Sequence, residues 1–318
     1  MRVDVHHHVL PAGYMDALRA WGADRTSGIR FPEWHPEDSL AVMDRYGIDA
    51  AVLSLSTPGA GFAPKPEGRA LARSCNEWVA QLVVGHPGRF GALACLPLPD
   101  VDGALEEIAY ALDELDLDGV ALLTSNPAGY LGDALFEPLF EELDRRQAVV
   151  FVHPTTPPVV PDLDLPAHAV EFVADTTRAA ANLIFSGTIE RHPGVTFVLA
   201  HAGGFAPYVA ARLELAWEGR PEAQARAPAG ALASLARFHY DTAVAATPYA
   251  LPGVLALAGP DHLLLGTDFP FVPESVVPWT LDGLANTLDP PTRESVEGAN
   301  ALRLFPRIQS RLADHGED

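Results

Sequence analysis

Val3-Asp4-Val5-His6-His7-His8 opens the chain: a β-branched run that ends in histidine, with a second histidine two positions further on. Successive side chains of a strand leave on opposite faces, so His6 and His8 share one face and His7 takes the other. Two imidazoles side by side at a strand end can hold a metal ion. Alone, His-x-His is a weak signal, and its weight depends on what the other strand ends offer.

The pattern that starts there recurs. Strand-like apolar runs fall at about 2–6, 50–55, 90–96, 119–123, 149–153, 195–201, 238–241 and 262–268. Helix-like segments separate them, beginning at Pro36-Glu37-Asp38 and ending at Gly47, then at about 68–85, 103–115, 134–146, 166–191, 206–218 and 248–258. Acids and proline suit a first helical turn and glycine a last one. Residues 11–35, with Pro11, Gly13, Gly22, Gly28 and Pro32, read as irregular. Eight strand–helix units in 318 residues predict an α/β fold. The reading is one (β/α)8 barrel of the TIM type over 1–318, closed by C-terminal helices near 274–286 and 290–304, and preferred to a doubly wound open sheet.

The placement of polar residues decides between the two. A barrel of this kind works at the C-terminal ends of its strands. There the sequence puts His6-x-His8, Val152-His153-Pro154, Ala200-His201-Ala202-Gly203-Gly204 and Gly266-Thr267-Asp268. A lone histidine in such a place is usually structural. Four histidines and an aspartate on one rim form a candidate metal site, and imidazole with carboxylate suits zinc, and also manganese, iron or cobalt. His86 and His192 each precede a proline at a helix end, where histidine sits comfortably against the dipole. His7 should face the helix layer and be structural. His239 and Asp241 sit on a seventh strand too weakly patterned to place them.

Composition narrows the partners. Hydrophobic residues make up 48% of the chain and the net charge is −21. That balance excludes a basic nucleic-acid or membrane-binding surface, and an anionic substrate would need local positive charge from arginine or metal. No apolar run approaches a membrane span and no signal peptide is visible, so the expected place is the cytoplasm. Cys75 and Cys95 read as core thiols.

With these residues in view, the chain resembles the amidohydrolase superfamily. The similarity is closest to the branch of α-amino-β-carboxymuconate-ε-semialdehyde decarboxylase and aromatic-acid decarboxylases of the 6-methylsalicylate type. The segments that carry it run from Asp4-Val5-His6-His7-His8-Val9-Leu10-Pro11 through Met43-Asp44-Arg45-Tyr46-Gly47 and Phe151-Val152-His153-Pro154. They continue with Ala200-His201-Ala202-Gly203-Gly204, Gly266-Thr267-Asp268-Phe269-Pro270-Phe271 and Asn300-Ala301. The resemblance implies a metal-dependent, non-oxidative decarboxylase of a small aromatic or unsaturated carboxylic acid. A hydrolase of a lactone or amide, or a hydratase, on the same centre is the alternative, and a non-catalytic barrel a third.

The same resemblance implies the roles. His6, His8, His153 and Asp268 would bind one divalent ion, zinc first and manganese second. His201 would be the acid/base that is not a ligand, and Asp268 would share its proton traffic. Arg30, four residues before Trp34-His35-Pro36-Glu37, would bind the substrate carboxylate. Arg212, in the helix after His201, would do so across a homodimer. Lys65 is the sole lysine and lies outside the fourth strand, where dinuclear relatives carry a bridging lysine, so a mononuclear centre is expected. Thr155-Thr156-Pro157 stand where the semialdehyde decarboxylase has a tryptophan, which leaves the substrate open.

Overall fold

The computed structural model describes residues 1–157, 159–160 and 164–315. Eight parallel strands form one sheet in chain order. They are β1 (Val3–Val9), β2 (Ala50–Leu55), β3 (Phe90–Cys95), β4 (Gly119–Leu123), β5 (Val149–His153), β6 (Thr196–Leu199), β7 (His239–Asp241) and β8 (Leu263–Leu264). The last strand returns to the first. Val5 N–H donates to Leu265 O at 2.9 Å, Asp268 N–H to His6 O at 2.7 Å and His8 N–H to Phe269 O at 2.7 Å. The (β/α)8 barrel read from the sequence is the fold observed.

Both faces of such strands are covered, which is why they read as continuous apolar runs rather than alternating ones. Val3, Val5, Val52, Leu93, Phe151 and Val198 fill the barrel interior, and Ala301, Phe305 and Ile308 from the C-terminal helices join the same cluster. Gly91 makes room for that end of the chain, since a Cβ there would lie 2.4 Å from Ile308 Cδ1. The opposite faces, with Leu53, Val150, Val152 and Leu199, pack against the helix layer.

Local chemistry fixes the first crossover helix well. In α2 (Pro36–Tyr46) proline takes the first position, Asp38 accepts from His35 N–H at 2.8 Å, and Gly47 ends it at φ +63. Residues 11–35 depart from the sequence expectation. They hold helix α1 (Ala12–Ala20) and a small hairpin pairing Arg25–Thr26 with Ile29–Arg30. Of α1 only Tyr14 and Leu18 are buried, so Pro11 and Gly13 outweigh its faint apolar stripe in a sequence reading. The helix expected over 166–191 breaks at Gly187, φ +79, into α3 (Ala167–Phe185) and a short Thr188–Arg191 turn. A further helix, Pro306–His315, follows the expected last one. Among the described residues no helix is long and apolar enough to cross a membrane.

Candidate metal centre

His6 and His8 reach the barrel interior through an irregularity in β1. Its pairing with β2 runs Asp4↔Ala51 and then His7↔Leu53, so β1 spends one extra residue. Val5 and His6 therefore both point inward, and His8 follows. Strict alternation from Val3 and Val5 would have turned His7 in and both neighbours out. Gly266 supplies the space that the shifted ring needs, because a Cβ there would lie 2.8 Å from His6 Cβ.

Four strand ends now converge. His6 Nε2 lies 3.0 Å from His8 Nε2 and 3.3 Å from Asp268 Oδ1, and His8 Nε2 lies 3.1 Å from the same oxygen. One donor atom from each of His6, His8, His153 and Asp268 falls within 4.8 Å of the others, and all four residues are buried. His201 stands beside them, Nε2 4.0 Å from Asp268 Oδ2. Tight loops aim these last two: His201 has φ +55, Ala202 φ +57 and Asp268 φ +63. Non-glycine residues in that region cost about 1–3 kcal/mol each and cluster where a site is held in place.

Outer partners set the tautomers. His6 Nδ1–H donates to Asp241 Oδ2 at 2.7 Å, His153 Nδ1–H to Pro154 O at 2.7 Å and His201 Nδ1–H to Ala243 O at 3.0 Å. His8 Nδ1 bonds Ser54 Oγ at 3.0 Å. Each Nε2 is thereby free to present a lone pair inward. Asp268 Oδ1, buried at their meeting point, has no hydrogen-bond partner among the described residues. Three lone pairs and an orphaned carboxylate oxygen at one point repel each other unless a cation sits there, and the donor set fits a four-ligand divalent ion.

The electrostatics agree. Burial alone would push His6 down, but Asp241 and Asp268 outweigh it and hold the ring up at about 10. Burial holds His8 down and His153 well down. Burial would raise Asp268, yet the surrounding histidines hold it well below the carboxylate range.

Two carboxylates complete the site, and sequence reading did not assign either a role. Asp241 gives one oxygen to His6 and the other to the backbone N–H groups of His201 and Ala243, both at 2.9 Å. It joins a candidate ligand to the candidate acid/base. Its signal was its place at the end of His239-Tyr240-Asp241, a strand three residues long and too short to show a period. Asp4 accepts from Thr267 N–H at 3.0 Å, Thr267 Oγ1 at 2.5 Å and His7 Nδ1–H at 2.9 Å, so it pins the Asp268 loop to β1. His7 faces outward, as expected, and its Nε2 reaches Ser39 Oγ on α2 at 2.7 Å.

A cavity of about 1210 Å³ lies over this centre, with His153, His201 and Asp268 in its wall and Thr26, Phe172, Tyr208 and Phe271 around it. Neither arginine singled out in the sequence is among the described residues of that wall. Arg30 is exposed on the hairpin whose Thr26 and Ile29 do line it, and Arg212 is exposed on helix α4 (Ala206–Glu218), whose Pro207, Tyr208 and Val209 do. His239 lies at the opposite end of β7, stacked on His262 with ring centroids 4.4 Å apart, and takes no part. Lys65 pairs with Asp100 at 3.4 Å, outside the centre. Cys75 and Cys95 are free and buried.

A barrel with a histidine–carboxylate centre at the C-terminal ends of its first, fifth, sixth and eighth strands defines a class, and comparison with known proteins agrees. The amidohydrolase family model matches residues 3–307, and the chain belongs to that family. It is 35% identical over 318 residues to 6-methylsalicylic acid decarboxylase of Penicillium expansum, an alignment covering 98% of each chain. A solved amidohydrolase superposes with a TM-score of 0.90 at 32% identity, covering 96% of this chain and all of the other. The 5-carboxyvanillate decarboxylase of Novosphingobium aromaticivorans, solved with manganese and a nitrobenzoic acid, shares the fold at TM-score 0.85 and 21% identity, with 96% of each chain covered.

Proposed function

We propose that this protein is a metal-dependent, non-oxidative decarboxylase of a small aromatic carboxylic acid, with 6-substituted salicylates as the first substrates to test. The observation that carries the reading is the end-to-end relation to 6-methylsalicylic acid decarboxylase together with a complete, converging donor set. His6, His8, His153 and Asp268 would hold the ion, zinc first and manganese second, since three imidazoles and a carboxylate suit both. Bound there, the ion would supply a Lewis acid for the substrate's carboxylate and neighbouring oxygen.

The rest falls to the chain's own groups. The ring–carboxylate bond breaks, its electron pair stays on the ring carbon, and that carbon must take a proton as CO2 leaves. His201 Nε2 faces the cavity 4.0 Å from Asp268 Oδ2, so a proton held by this pair is within reach of a ring lying over the centre. Ala243 O and Asp241 keep the His201 ring aimed there. Arg30, on the hairpin at the cavity's edge, is assigned to the substrate carboxylate.

Arg212 is assigned to the same task across a homodimer. It shares one face of α4 with Tyr208, 88% exposed, and Leu215, 70% exposed, at i, i+4 and i+7 spacing. A second copy would cover that face and carry Arg212 toward the partner's cavity. Mixing an Arg212→Ala chain with a His6→Ala chain tests the arrangement: each alone is expected to be inactive, and the mixture to recover activity from mixed dimers.

The central test is CO2 release by the metal-loaded protein across 6-substituted salicylates, other hydroxybenzoates and muconate-like acids. In D2O the product should carry one deuterium at the vacated ring carbon. Water-derived oxygen in a product formed without CO2 would overturn the reading in favour of hydrolysis or hydration.

A further inference from the structure

His153 lines two cavities. One is the large space described above. The other, of about 430 Å³, lies over the ends of β2 to β5, on the side away from His201 and Asp268. Its walls are Leu55, Phe62, Cys95, Leu98 and Leu123, with Thr155 and Thr156 on the side of the centre. It opens outward beside the exposed Pro127, so it is a pocket that a ligand group can enter and not a sealed void.

The chamber is built rather than slack. Gly61 presses its loop onto the turn after β3 so closely that a Cβ there would lie 1.7 Å from Leu98 O. Hydroxyls bond along the border of the two spaces, Thr57 Oγ1 to Thr155 Oγ1 at 2.8 Å and Thr156 Oγ1 to Ser27 Oγ at 2.6 Å, beside His153, which lines both. Thr57 lines the large cavity, and Thr155 and Thr156 line the small one. Ser125, also in the chamber wall, spends its hydroxyl on the buried carboxylate of Asp175 at 3.0 Å. The wall hydroxyls are thus spent on neighbours outside the chamber, and Asn126 Oδ1 accepts from Ala128 N–H at 3.0 Å. Apart from His153 no charged or titratable nitrogen or oxygen lines the chamber among the described residues, so an ionised carboxylate would be stranded in it.

We propose that this chamber is the subsite for an alkyl substituent on the substrate ring. The acid's carboxylate lies on the His201–Asp268 side of the centre, and its alkyl group passes His153 into the space between Leu55, Cys95, Leu98 and Leu123. This orientation favours alkyl-bearing over bare aromatic acids. The inference rests on the decarboxylase reading above.

The test uses 2-hydroxybenzoates carrying hydrogen, methyl, ethyl or propyl at position 6, assayed on the metal-loaded protein. In the unaltered protein kcat/KM should rise about fourfold for each carbon that enters the chamber. Leu123→Phe and Leu98→Phe, which fill it from two separate walls, should each lower the ethyl-to-hydrogen ratio of kcat/KM at least tenfold, mostly through KM. Leu123→Ala should move the preferred chain one or two carbons longer. A flat series in the unaltered protein, or filling variants that depress every acid by the same factor, would overturn the proposal. Calorimetric Kd values for the same series separate it from the reaction: a protein that releases no CO2 but still binds the alkyl acids in this order keeps the chamber and loses the decarboxylase reading.

Discussion

The barrel carries histidines at both ends, and only one set is arranged for chemistry. At the C-terminal rim His6, His8, His153 and His201 surround Asp268, and each ring has its Nδ1 engaged by a neighbour. At the opposite end His239 and His262 stack face to face at 4.4 Å. Among the described residues no carboxylate lies between these rings, and the buried Nδ1 of His239 has no partner. His262 spends its own Nδ1–H on Phe238 O at 2.9 Å. The upper rings are four, three of them buried, and the lower two are half-buried, but number and burial alone do not make a centre. What differs is the surrounding layer of acceptors and the central carboxylate, which turn a group of rings into a centre of one charge demand.

The largest effects should come from breaking the upper set itself. His6→Ala or Asp268→Asn should abolish stoichiometric metal, measured by elemental analysis, and cut turnover by far more than about 100-fold, the upper range for residues that only support ligands. Chelation of the unaltered protein should lower Tm, and zinc or manganese should restore it, because an ion that binds only the folded chain stabilises it by mass action. No change in Tm on chelation would mean that the folded protein holds no such ion.

Asp241 tests the surrounding layer. Asp241→Asn keeps the shape but loses the charge that holds His6 Nδ1–H and shares a carboxylate with the His201 loop. Metal affinity by chelator competition should fall about 10- to 100-fold. His7 comes next. His7→Phe removes bonds to Asp4 and Ser39, both buried. Breaking such a network should cost about 1–3 kcal/mol in denaturant unfolding while the ion is retained. Loss of the ion from this variant alone would mean that the Asp4–Thr267 link, and not the strand face, governs Asp268.

The fold and the upper centre were legible because both follow from local order. Apolar runs alternated with helical ones, and each of His6, His153, His201 and Asp268 followed such a run directly. Other features were not legible, each for a physical reason. The shift in β1 that brings Val5 and His6 to one side depends on pairing with β2, which a single strand does not reveal. Asp241 ends a strand of three residues, shorter than two periods of alternation. Asp4 looks like an ordinary strand residue, and its partner Thr267 lies 263 positions away. Arg30 and Arg212 show the reverse case. Their positions are legible by resemblance, yet both lie on exposed elements whose neighbours, and not they, line the cavity.

The smallest expected effect lies at the lower end, and it is the sharpest control on the comparison. Burial, together with His262 and Arg303 nearby, holds His239 down at about 4 from its ordinary 6.5. Between those two values the unfolded chain binds a proton at this residue that the folded chain refuses. Stability therefore falls as pH drops through that window and levels off below it. Replacing His239 with glutamine removes the titrating group, so unfolding midpoints measured from pH 7 to pH 4 should slope less steeply than in the unaltered protein. Metal content and kcat/KM at pH 7 should not change, because the lower pair has neither the central carboxylate nor the full set of acceptors that make the upper rings a centre. A loss of metal in the His239→Gln variant would show that the two ends of the barrel are coupled, and the contrast between them would then be one of position alone.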